Sequence, residues 1–65
     1  MMLDLDGTLV NMNQIVKAEV ESSFYVNGSS SCLVVTLMNG QVIRRRHGYG
    51  FDAFKTLEQI KSYDR

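Results

Sequence analysis

The densest concentration of chemically capable side chains is the run Arg44-Arg45-Arg46-His47-Gly48-Tyr49-Gly50-Phe51. Guanidinium groups pair with phosphates and aromatic rings stack on unpaired bases. The mixture therefore suits RNA or single-stranded DNA, with Arg44, Arg45, Arg46, His47 and Tyr49 as the contacts. In a strand, however, successive side chains alternate between faces. Arg44 and Arg46 then share one face and Arg45 takes the other, so the three do not form one patch. The competing expectation is a solvated edge strand whose charges block edge-to-edge aggregation. Seven Lys plus Arg against seven Asp plus Glu give no net charge, which favours this second reading. His47 is the only histidine and Cys32 the only cysteine. A histidine with no cluster of partners is expected on the surface or in a loop rather than on a metal. Cys32, followed by Leu33 and Val34, is expected to be buried and inert. A single cysteine excludes both an internal disulfide and a Cys-rich zinc site. No cofactor or metal is expected. Met1, Met2, Met12 and Met38 could line an adaptable surface, but at this number they read as core or initiator residues.

Asp4-Leu5-Asp6-Gly7-Thr8-Leu9-Val10 resembles the first motif of the haloacid dehalogenase superfamily. The resemblance implies a nucleophilic first Asp, a general acid/base second Asp, and Mg²⁺ held by both. It also implies a large doubly wound α/β domain, a later Ser/Thr, a Lys, and a downstream acidic pair. Glu19, Glu21, Asp52, Glu58 and Asp64 form no such pair. Only three residues precede Asp4, too few for the buried strand that carries the nucleophile. A motif counts only in its structural context. The expectation is a hairpin with Asp6-Gly7 at its tip, where both residues need positive φ, and a protein that is not an enzyme.

The elements carrying these residues follow from hydrophobic period and glycine punctuation. Met1 to Leu5 and Thr8 to Met12 read as the two strands of that hairpin, with 11–14 as a corner. From Ile15 to Ser22, Val16, Ala18 and Val20 alternate with Lys17, Glu19 and Glu21, the period of a half-buried strand. Phe24, Tyr25 and Val26 extend it after a bulge or slip at Ser22-Ser23. Asn27 to Ser31 reads as a longer polar loop; Asn27-Gly28-Ser29 matches a glycosylation sequon but is read as a turn. Cys32 to Met38 is apolar on both faces: Leu33, Val35 and Leu37 on one, Cys32, Val34 and Met38 with Thr36 on the other. Asn39-Gly40 is a strong hairpin signal, and a two-residue loop would set Leu37 opposite Val42, Thr36 opposite Ile43 and Val35 opposite Arg44. Asp52 is an N-cap for a helix from Ala53 to about Tyr63. Its apolar stripe is Phe54, Leu57 and Ile60, flanked by Ala53 and Tyr63. The helix is too short to stand alone and must dock on the sheet. The expected architecture is α+β, mainly β: a four- to five-stranded antiparallel sheet with one C-terminal helix, in a single domain spanning 1–65.

Two small families resemble this layout. The FlbD-like flagellar family, also called swarming motility proteins, is similar through Asp6-Gly7, Val10-Asn11, Ile15 to Glu19, Val34-Val35-Thr36-Leu37-Met38-Asn39-Gly40 and the ending Ile60-Lys61-Ser62-Tyr63. The long 22–31 segment and the arginine run depart from it. The CsrA-like RNA-binding family is similar in length and order of elements, which implies five strands, a C-terminal helix and an intertwined dimer. Its basic N-terminal strand is missing here, where Asp4 and Asp6 stand.

A chain of 65 residues buries only about 60% of the surface its unfolded form exposes. Domains of this size often add a disulfide, a metal or a partner subunit, and the first two are already set aside. The first expectation is thus a small non-catalytic interaction module that self-associates through Cys32, Val34 and Met38 as a homodimer or higher homo-oligomer. The second is the RNA or single-stranded DNA binder. No apolar run approaches the roughly 20 residues of a membrane span, and no signal-peptide pattern opens the chain. A cytoplasmic location and no membrane partner are expected. The sequence by itself names neither a process nor a partner protein.

Overall fold

Two positive φ values in succession, 52° at Asp6 and 99° at Gly7, turn the chain back within two residues. In the computed structural model, which describes residues 1–25 and 28–63, this turn joins β1 (Met2–Leu5) to β2 (Thr8–Asn11). Leu3 faces Val10 across this pair, and Leu5 faces Thr8. Leu3, Leu5 and Val10 point into the core, while Met2 and Leu9 alternate outward. A single 3₁₀ turn, Met12–Gln14, makes the expected corner. Asn11 caps it by accepting from the Asn13 N–H at 3.0 Å, and Met12 is buried.

β3 (Ile15–Tyr25), β4 (Gly28–Leu37) and β5 (Val42–Arg46) form a second antiparallel sheet in that order. The fold is α+β and mainly β, with five strands and one C-terminal helix among the described residues. The strands divide between sheets of two and three rather than joining in one. β3 pairs with β4 from Lys17 to Tyr25 without a slip at Ser22-Ser23. The irregularity lies instead between Ile15 and Lys17. Val16 is the extra residue, and the bulge brings Ile15 onto the same inner face as Ala18 and Val20. Val16 itself is left exposed, against the alternation that grouped it with Ala18. Ser29, Ser30 and Ser31 belong to β4, not to a loop, because the long β3 supplies a partner for each. Val26 and Asn27, and with them the expected extension at Val26 and the turn at Asn27, lie outside the described residues.

The β4–β5 connection corrects the expected register by one residue. Thr36 faces Val42, Val35 faces Ile43 and Val34 faces Arg44. The loop has three residues: Gly40 N–H bonds Leu37 O at 2.9 Å, and Gly40 at φ 89° acts as a bulge before Gln41. This register sets buried Val35 against buried Ile43; the alternative would have placed Val35 against a charged residue.

The helix α1 (Ala53–Lys61) begins as expected, with Asp52 Oδ1 accepting from the Lys55 N–H at 3.0 Å. Its buried stripe is Ala53, Thr56 and Ile60, with Leu57 and Tyr63 partly covered. Phe54 is rotated out of it and half exposed. The helix packs over β3 and β4, and the β1–β2 hairpin contributes Leu3, Leu5 and Val10 to the same core as Leu33, Val35 and Ile43. One face of the three-stranded sheet is thereby covered by two different elements.

Candidate functional site

The arginine run is where sequence placed the chemistry, and the structure gives each member a different task. Arg44 reaches across β4 to Glu21, 3.0 Å away. Arg45 turns to the inner face, where its guanidinium makes three bonds. Nε donates to Leu5 O at 3.0 Å, Nη2 to Thr8 Oγ1 at 2.7 Å, and Nη1 to Arg44 O at 2.8 Å. It thus ties the closing pair of the β1–β2 hairpin to β5. Arg46 is exposed. His47 Nδ1 accepts from the Ala53 N–H at 3.0 Å, so the ring caps the first turn of α1. The ring also meets Phe54 edge-on at 5.1 Å. Gly48 and Phe51 close a tight turn through bonds of 3.0 and 3.1 Å, with Gly50 at φ 94°. Tyr49 stands fully exposed at its tip. Of the five suggested nucleic-acid contacts, Arg46 and Tyr49 present unengaged side chains among the described residues.

Asp4 and Asp6 are exposed. Asp4 Oδ1 accepts from the Gly7 N–H at 2.8 Å, so one carboxylate oxygen serves the turn. Among the described residues no three His, Cys, Asp or Glu side chains gather as a metal site. No helix among them is long and apolar enough to cross a membrane.

The suggested self-association residues lie on the outer face of the three-stranded sheet, but not as one open apolar patch. Val34 is 6% exposed. Glu19 and Arg44 are its neighbours on either strand, and the Glu21–Arg44 ion pair crosses the strand that holds it. Cys32 is half buried. Met38 is exposed, at the β4–β5 loop.

Two features escaped the sequence reading. One is a cleft of about 490 Å³ between the start of β1 and the end of α1, lined by Met1, Met2, Leu3 and Met12 facing Gln59 and Tyr63. The other is the contrast between the sheet edges. His47 N–H bonds Ser31 O and Leu37 N–H bonds Gln41 O, both at 2.8 Å. The odd-numbered residues of β4 therefore bond to β5, and its even-numbered residues bond to β3. By the same alternation, Ala18, Val20 and Ser22 turn their backbone N–H and C=O groups away from β4. These groups have no partner among the described residues. On β5 the outward carbonyl of Arg44 is taken by Arg45. β1 and β2 are only four residues each. Strand order decides which edge is open, and the alternation of side chains carries no record of strand order.

Comparison with known proteins places no relative beside the chain: no family model, no curated protein and no solved structure matches it.

Proposed function

We propose that this chain is a small, non-catalytic interaction module of the cytoplasm that works by self-association. The observation that carries the reading is the open edge of β3 at Ala18, Val20 and Ser22, on a strand of eleven residues, beside a β5 edge of five residues on which the chain's own Arg45 fills the Arg44 carbonyl. An open edge is a row of ready hydrogen-bond donors and acceptors for another chain. A non-catalytic role agrees with the use of Asp4 in a turn and of His47 in a helix cap. Sedimentation equilibrium at micromolar concentration tests the reading. A mass above the 7.4 kDa of one chain, falling on dilution, is expected. A strictly monomeric mass overturns it. The nucleic-acid reading retains Arg46 and Tyr49. A complex with single-stranded RNA at physiological salt, lost in Arg46→Ala with Tyr49→Ala, would put that reading first.

A further inference from the structure

We propose that two copies pair edge to edge through β3, antiparallel about a two-fold axis at Ala18, so that their three-stranded sheets continue into one another. This rests on the self-association reading above and specifies its surface. The backbone allows it: Ala18 and Val20 both present N–H and C=O groups outward, and an axis at Ala18 sets outward residues opposite outward residues, as an antiparallel ladder requires.

Charge selects this register among the neighbouring ones. Lys17 and Glu19 lie on the outer face, 3.6 Å apart along the strand and both well exposed. With the axis at Ala18, Lys17 faces the partner's Glu19, and Glu19 faces the partner's Lys17. The two-fold thus generates two opposite-charge pairs from one sequence. Moving the axis to Glu19 keeps two opposite-charge pairs, Lys17 with the partner's Glu21, but sets the two Glu19 side chains against each other at the centre. Moving it to Val20 sets Glu19 against the partner's Glu21. An axis further along loses the pairing of Lys17 altogether. Ala18, small and half buried, meets its own copy at the centre. The bulge at Val16 ends the ladder there and keeps it short. The alternative edge, β5, would bring Arg44 and Arg46 of two copies together with Arg45 already filling one of its carbonyls.

The test is a charge exchange read by sedimentation equilibrium. Lys17→Glu gives a strand with acids at both positions, and Glu19→Lys gives one with lysines at both. Each variant alone should associate at least about tenfold more weakly than the parent, because like charges then face each other twice. An equimolar mixture of the two should associate as well as the parent, and so should the double exchange within one chain. The exposed Lys17–Glu19 pair contributes little to the fold, and unchanged melting of each variant confirms that the monomer is intact. If the parent associates and both single variants associate equally well, the β3 register is wrong while self-association stands. If the parent is a monomer, both readings fail together.

Discussion

Arg45 shows why a residue that looks like a ligand contact can belong to the fold. Its fork matches three acceptors on three strands, and only a guanidinium has the rigid array of donors to serve them together. Arg45→Met keeps most of the apolar stem and removes every donor. Arg45→Lys keeps the charge but loses the planar fork that serves all three acceptors. Both should lower stability by about 1.5–3 kcal/mol, the range for hydrogen bonds to a charged group, seen as a lower urea midpoint. Arg46→Met, with no partner to lose among the described residues, should stay within about 0.5 kcal/mol. Equal midpoints for all three variants would mean that the clamp adds nothing. The arginines themselves were plain in the sequence. Their partners were not, since Glu21 is 23 positions from Arg44 and Leu5 is 40 from Arg45, and nothing local links them.

The β4–β5 hairpin separates what local pattern can and cannot say about an element. Asn39-Gly40 announced the reversal correctly, and the apolar run before it announced β4. Loop length decided the register, and a three-residue loop with Gly40 at φ 89° differs from a two-residue loop by one position of pairing. Gly40→Ala should therefore cost on the order of 1 kcal/mol, because a Cβ disfavours that backbone, although open space surrounds the site. An unchanged thermal midpoint would show that the loop relaxes into another turn. Other elements follow the same division. Lys17 to Glu21 alternates and is a strand. Asp52 caps α1 as its type suggests. Ser29 to Ser31 has loop composition, yet pairing with Ser23 and its neighbours on β3 makes it strand. Phe54 fits an apolar stripe by spacing, but the helix seats Ala53 and Thr56 inward, which turns Phe54 toward His47. The open edge of β3 was hidden for a different reason. Its residues were assigned correctly to a strand, while their neighbours in space depend on the whole topology.

Across the whole molecule, the core is a joint product of two sheets that share no backbone ladder. Leu3, Leu5 and Val10 come from one sheet and Leu33, Val35 and Ile43 from the other, so burial holds them together by side chains alone. The guanidinium of Arg45 is the polar tie across that seam. Such a seam has a consequence for motion. Segments joined without shared backbone bonds tend to open as separate cooperative units, at free energies below that of global unfolding. The β1–β2 hairpin is one such unit, and β4, bonded on both sides, belongs to the other. In native-state hydrogen exchange the ladder amides of residues 2–11 should become labelled together, ahead of those of Leu33 and Val35. Arg45→Met should widen the gap, speeding exchange in the hairpin more than in β4. A single common exchange free energy in both segments would mean that the seam transmits as firmly as a ladder, and that this small protein opens only all at once.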